Sequence, residues 1–186
     1  YLKEQFPGSK IAASEALQCP TLIYNGFGEH RIEGIGDKHI PWIHNVKNTD
    51  MVIAVDDEGP VSVMRLFTSP AGLKYLNSLG ISDQIIERLP WLGLSCVGNL
   101  ISAIKFAKYY ELGENDVVMT VFTDSVAMYG SRLEEYDAER GALSENEAAG
   151  IYQRYLMGQT IDHVLELNHY DRKRVHNLKY YTWVEQ

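Results

Sequence analysis

Five consecutive apolar residues, Met51-Val52-Ile53-Ala54-Val55, run directly into Asp56-Asp57-Glu58-Gly59-Pro60. An apolar run without alternation suits a strand covered on both faces, as in a parallel sheet. The acidic turn suits a helix start. Carboxylates favour the positive end of the helix dipole, and Pro60 suits the first helical position, whose N–H has no partner. Val61, Met64 and Leu66-Phe67 then supply an apolar stripe at helical spacing. A buried strand that turns straight into an amphipathic helix commits this stretch to an α/β layer.

The alternation continues along the chain. Residues 1–6 read as a helix end stopped by Pro7-Gly8, and residues 11–16 as a short buried strand. Ser69-Pro70-Ala71-Gly72 breaks the helix after Pro60, and residues 82–89 form a short amphipathic helix that Pro90 ends. Residues 99–112 are a strong helix, with Leu100, Ile101, Ile104 and Ala107 in register and Gly113 as its C-terminal cap. Residues 116–122 read as the clearest strand. Thr123-Asp124-Ser125 caps a helix running to about Arg140. Ser144-Glu145-Asn146-Glu147 resembles a capping box opening a long helix from Ala148 towards Leu167. Residues 170–186 carry no assigned structure. The expected fold is α/β, a three-layer open and mostly parallel sheet over residues 1–135, with a helical C-terminal extension over 136–186.

The 186 residues suffice for one domain or a large part of one, and 45% of them are hydrophobic. The formal net charge is -8. Such a surface repels phosphate backbones, so no nucleic-acid partner is expected. The apolar runs are too short to span a bilayer, so no membrane partner is expected either. Cys19 and Cys96 are too few for a disulfide framework or a cysteine zinc site, and a reducing, cytoplasmic setting is the simpler expectation. The chain opens at Tyr1 without a basic-then-apolar leader and reads as internal to a longer polypeptide.

Three stretches could carry chemistry. Gly34-Ile35-Gly36 reads either as a plain tight turn or as a place where the backbone approaches a ligand closely. It is not a dinucleotide fingerprint, because no third glycine follows at the required spacing. Gly93-Leu94-Ser95-Cys96-Val97-Gly98-Asn99 precedes a helix, where unpaired N–H groups and partial positive charge collect. Ser95 there is an N-cap, a hydrogen-bonding partner for the ring nitrogen of a cofactor, or both. Thr123-Asp124-Ser125 is a helix cap, or lies where ligands bind beyond strand ends. The six histidines include no pair at i and i+4, and no metal site is expected. Asp56-Asp57-Glu58 reads as a helix start, Cys96 as a packing residue, and Asp171-Arg172-Lys173-Arg174 as a solvated run.

In order, these pieces resemble one family. His30-Arg31-Ile32-Glu33-Gly34-Ile35-Gly36 followed by Ile40-Pro41 is similar to the H-x-I-x-G-I-G-x-x-F-I-P loop of cysteine synthases and cystathionine β-synthases, with His39 where those have Phe. Gly93-Leu94-Ser95 through Ala103-Ile104-Lys105 resembles, without gaps, the G-I-S-S-G-A…A-L-K segment, with Val97 for the family glycine and Gly98 one place later. Residues 116–129 resemble the cystathionine β-synthase segment V-V-I-L-P-D-S-V-x-x-Y, with Thr123 for Pro. Residues 1–15 resemble the helix and strand after the family's glycine-rich phosphate loop. The similarity covers about residues 1–133. Residues 69–92 are longer than the family's connection, and residues 136–186 match nothing in it.

The resemblance implies the fold type II architecture of enzymes that use pyridoxal 5'-phosphate (PLP), with this chain as most of the larger domain. It implies Ser95, Gly34 and Gly36 as cofactor-binding residues, the Ser95 hydroxyl lying at the pyridine nitrogen. A neutral partner there does not hold that nitrogen protonated, which suits β-elimination and β-replacement on amino acids of the cysteine, serine or threonine type. In such enzymes the Schiff-base lysine, the asparagine at the 3-hydroxyl and the phosphate loop lie upstream of the segment matching Tyr1. No catalytic residue is therefore expected on this chain, and the 186 residues alone are expected to be inactive. The implied partners are an amino-acid substrate, the N-terminal half of the enzyme and a second subunit in a homodimer. The other reading is a non-catalytic α/β ligand-binding or regulatory domain derived from the same fold.

Overall fold

The computed structural model describes residues 1–185. Chain order gives α1 (Leu2–Gln5), β1 (Ala12–Ala16), α2 (Thr21–Tyr24), β2 (Met51–Val55), α3 (Glu58–Thr68), α4 (Pro70–Ser78), α5 (Asp83–Ile86), α6 (Leu94–Tyr109), α7 (Gly130–Arg140), α8 (Glu145–Tyr152), β3 (Val164–Glu166) and α9 (His169–Tyr180). Single π turns follow α8 at Gln153–Met157 and α9 at Tyr181–Glu185.

The apolar run at Met51–Val55 is the central strand, and all five residues are buried. It pairs in parallel with β1, Ala12 against Met51 through Ala16 against Val55. On its other side it pairs antiparallel with β3, Met51 against Glu166 and Ile53 against Val164. Successive strand side chains point to opposite faces. Met51, Ile53 and Val55 accordingly join a cluster with Val61, Leu66, Leu94 and Ile101, on the side of α3 and α6. Val52 and Ala54 join Leu22, Ile23, Ile40, Leu167 and Val175, on the side of α2 and α9. The sheet thus has helices on both faces. It is small and mixed, where a mostly parallel sheet was expected, because the second partner of β2 comes from the C-terminal stretch. That stretch, expected to be helical, also holds β3.

Several local boundaries differ from the sequence reading. Pro60 is the third residue of α3, two places inside the expected position. It is tolerated because the first-turn N–H groups have no intrahelical acceptor. Ser69-Pro70 separates two helices and starts the second. The Ser69 side chain accepts from Gly72 N at 3.1 Å, and Pro70 takes the first helical position of α4. The helix expected from Ala148 towards Leu167 is α8, which has the Ser144–Glu147 capping box but stops at Tyr152. Residues 170–180, left without structure above, belong to α9, whose box pairs Asn168 with Asp171.

The largest difference is at residues 116–122. They form no strand and have no ladder partner among the described residues. Val117 is 90% exposed and Met119 81%. β-propensity measures fit to a pleated neighbour, so an apolar stretch with nothing beside it stays irregular. Val121 O accepts a hydrogen bond from Asn99 Nδ2 on α6 at 2.9 Å, which ties the stretch to the body.

Candidate functional site

Helix α6 begins at Leu94, five residues earlier than residues 99–112 suggested. Gly93 is its N-cap and has no side chain to satisfy the first-turn N–H groups. The cap is tertiary. Gly93 N donates to Asp124 O at 3.1 Å, and Ser95 N to Asp124 Oδ2 at 3.4 Å. Ser95 is therefore not an N-cap but the second helical residue, 4% exposed. Asp124 does not cap the helix after it, as its sequence position suggested. It faces back to α6, while Ser125 caps a short 3₁₀ turn at Val126–Met128.

The loop of residues 29–37 lies across the same end of α6. Gly34 and Gly36 have φ of 82° and 100°, a region open to glycine at little cost. A Cβ on Gly34 would stand 3.9 Å from the Cβ of Ser95, and one on Gly36 would crowd His30 Nε2 at 3.3 Å and Ala16 at 3.4 Å. The fold thus brings Gly34 against Ser95 and Gly36 against the C-terminal end of β1. A Cβ at Gly98 would meet Ile35 Cδ1 at 3.3 Å, so the small residue one place beyond the expected position makes room for this loop.

Behind Ser95 sits the carboxylate of Asp124, from the third stretch singled out in the sequence, whose contact with Ser95 the sequence did not signal. Asp124 Oδ1 accepts from Ser95 Oγ at 2.9 Å and from Cys96 Sγ at 2.8 Å, and Oδ2 accepts from Tyr129 OH. Burial alone would raise the Asp124 carboxyl. The hydrogen bonds from Cys96, Tyr129 and Ser95 outweigh it and hold the group below the ordinary aspartate range. Burial and the bond to Asp124 push the Tyr129 phenol up.

Two cavities flank this end of the fold. One, of about 640 Å³, is lined by His30, Glu33, Asp57, Leu94, Arg132 and Tyr136. Its Asp57 accepts Arg31 N at 2.6 Å, while Asp57 Oδ1 and His30 Nδ1 are buried without a hydrogen-bond partner. Burial pushes the Asp57 carboxyl up, against that hydrogen bond and the charges of His30 and Arg31. The other, of about 430 Å³, lies between Ala12 and Ser14 of β1, Gly34, and residues 117–121. Ser95 lines neither. Lys105 is 3% exposed and donates to Asp162 Oδ1 at 2.7 Å, and Lys108 donates to the carbonyls of Met157 and Gln159. Both are structural.

No protein-family model matches the chain. Curated relatives include the cysteine synthases of two Staphylococcus aureus strains, Mu50 and N315. Each is 26% identical over 128 residues, which is 69% of this chain and 35% of the relative. Among solved structures, a hydrogen sulfide-producing enzyme from Fusobacterium nucleatum matches at 28% identity and a TM-score of 0.53, covering 89% of this chain and 42% of that one. A point mutant of it, in complex with an α-aminoacrylate intermediate, matches at a TM-score of 0.54.

The chain is cysteine synthase-like. The likeness is partial, since the chain spans about a third of the curated relatives and under half of the solved neighbour. Within this cysteine synthase-like chain, the loop of Gly34 and the first turn of α6 are neighbours in space as well as matches in sequence.

Proposed function

We propose that this chain forms the ring-nitrogen side of the cofactor site in a PLP-dependent enzyme of fold type II. Its reaction is β-elimination or β-replacement on an amino acid of the cysteine, serine or threonine type. The observation that carries the reading is the juxtaposition of a buried hydroxyl, Ser95, with a loop whose Gly34 has φ of 82°, the two coming from separate segments that resemble one family. The Gly34 backbone comes close to Ser95 with no side chain of its own, and the cavity of about 430 Å³ is lined by Gly34 though not by Ser95.

When bound, PLP supplies the electron sink for carbanion chemistry at the substrate. This chain's contribution is to hold and orient it. Ser95 would meet the ring nitrogen and Gly34 and Gly36 would let the backbone come close, while the tertiary cap of α6 fixes Ser95. The lysine that anchors the cofactor and the loop that binds its phosphate belong to the rest of the enzyme. The cavity between β1 and residues 117–121 supports that division. β1 is an edge strand with unpaired backbone groups, and the irregular, apolar residues 117–121 stand across a cavity of about 430 Å³ from it. A strand from the remaining half would pair with β1 and give residues 117–121 a neighbour. The assembly is a cytoplasmic homodimer in this reading.

The test is an absorbance spectrum of the full-length polypeptide, with cysteine, serine, acetylserine and threonine added in turn. A PLP band that shifts with one of them is the expected result. A full-length protein that takes up no PLP would refute the proposal.

A further inference from the structure

The cavity of about 640 Å³ takes no part in the PLP reading. Its volume is that of a small-molecule site, about 300–1,000 Å³. Val61, Met64 and Leu94, all buried, give it an apolar floor. Seven of its lining residues are carboxylates and two are arginines. The arginines are already engaged. Arg132 pairs with Glu135 at 3.1 Å, and Arg31 with Glu58 at 3.8 Å. The Tyr136 ring is taken as well, with the guanidinium carbons of Arg31 and Arg140 at 5.2 and 5.1 Å from its centroid. Glu29, Glu33, Asp56, Asp57 and Glu139 are left with no salt-bridge partner among the described residues.

One wall carries a second, independent sign of a ligand. Asp57 is only 6% exposed and is fixed in the turn after β2, its Oδ2 accepting Arg31 N at 2.6 Å and its N–H donating to Gln18 Oε1 at 3.1 Å. Its Oδ1 has no partner, and neither has His30 Nδ1 on the same cavity. Buried acceptors without a donor are costly and rare. A neutral imidazole with its proton on Nε2 accepts at Nδ1, and an ammonium group carries three donors and no acceptor. A single ammonium therefore suits both atoms. Among the described residues no three His, Cys, Asp or Glu side chains are grouped as metal ligands. The negative charge is spread around the cavity, which suits a ligand whose positive charges are also spread. We propose that this cavity binds an aliphatic polyamine, with one terminal ammonium at the Asp57–His30 wall, the methylene chain along Val61, Met64 and Leu94, and the further ammonium groups at Glu29, Glu33 or Glu139.

The experiment is isothermal titration calorimetry of the full-length polypeptide with spermidine, compared with butylamine and magnesium chloride at matched ionic strength. Saturable binding of spermidine at one site is expected, with butylamine weaker. Asp57→Asn keeps an acceptor for Arg31 N and removes the charge, and affinity should fall about tenfold or more. Glu29→Gln combined with Glu139→Gln alters only exposed side chains at the rim, so it tests the site even if Asp57→Asn does not fold. A roughly threefold or greater fall is expected there. Glu114→Gln, exposed and outside the cavity, should leave the affinity at the wild-type value. The proposal is overturned by any of four results: no saturable heat with spermidine, magnesium binding as tightly, wild-type affinity in a folded Asp57 variant or in the Glu29 and Glu139 double variant, or an equal loss in Glu114→Gln. The calorimetry reads no PLP signal, so its failure is distinguishable from a failure of the PLP reading.

Discussion

A side chain on Gly34 would begin 3.9 Å from the Cβ of Ser95, across a loop that is distant from α6 in sequence. Gly34→Ala therefore has two consequences. Its φ of 82° strains any other residue, at a cost of about 1–3 kcal/mol in stability. The added methyl also stands against the Ser95 side chain. Denaturant unfolding should show the loss, and a PLP titration of the full-length variant should show weaker binding. Wild-type values in both would remove Gly34 from the site.

Ser95→Ala tests the hydroxyl itself. Losing a hydrogen bond to the ring nitrogen costs about 0.5–1.5 kcal/mol, which corresponds to roughly a two- to tenfold fall in PLP affinity. Circular dichroism should be unchanged, since Ala suits the first turn of a helix. Unaltered affinity in the full-length protein would refute the assignment.

Gly93→Ala acts on the same site from behind. Its Cβ would meet the Asp124 carboxylate oxygens at 2.7 and 2.8 Å, so the carboxylate must leave its donors. The start of α6 then loses the acceptor for Ser95 N. A drop of about 1–3 kcal/mol in unfolding free energy is expected. A thermal melt matching the wild type would show that Asp124 is not the cap of α6.

Asp50 joins three parts of the fold. It accepts from Lys3 Nζ at 2.6 Å and from Ile11 N at 2.8 Å, and Arg172 of α9 approaches at 3.5 Å. Burial would raise its carboxyl, but the bonds from Lys3 and Ile11 outweigh this and lower it. A carboxyl lower in the folded than in the unfolded chain stabilises above the ordinary aspartate range, and that contribution fades as pH falls through the folded value. Asp50→Asn should cost about 1–3 kcal/mol at neutral pH. Its deficit should shrink as pH drops below about 4. A deficit independent of pH would show that charge is not the cause.

The 186 residues expressed alone should associate or precipitate. β1 has an open edge, and Val117 and Met119 are exposed beside it. Size-exclusion chromatography with circular dichroism checks this. A monomeric fragment with a cooperative melt would contradict it.

β2 was legible as an apolar run with a clear turn after it, and β1 as a short stretch of mostly small residues between turns. β3 was not, since Val164-Leu165-Glu166 carries no period and its partner lies over a hundred residues earlier. Residues 116–122 misled for the converse reason: their composition is a strand's, yet pairing needs a neighbour that composition does not report. The start of α6 was read late because its cap, Asp124, is far along the chain and Gly93 has no side chain to signal it. Ser95 and Gly34 were singled out through motif order, and the fold places them side by side. Asp124 was read as a local cap or as lying where ligands bind beyond a strand end, and nothing nearby in sequence says that it faces backwards to α6. The Asn168–Asp171 box of α9 was readable by the same rule as Ser144–Glu147 and was passed over.

The pairing of β2 with β3 has a consequence for synthesis. Translation proceeds at about 5–20 residues per second, so β3 leaves the ribosome roughly 6–22 s after β2. Through that interval the nascent chain has β1 beside β2 but nothing on the other edge of its most apolar strand. Chaperone occupancy should peak in that window, and a ribosome that stops short of Val164 should release a product marked for proteolysis.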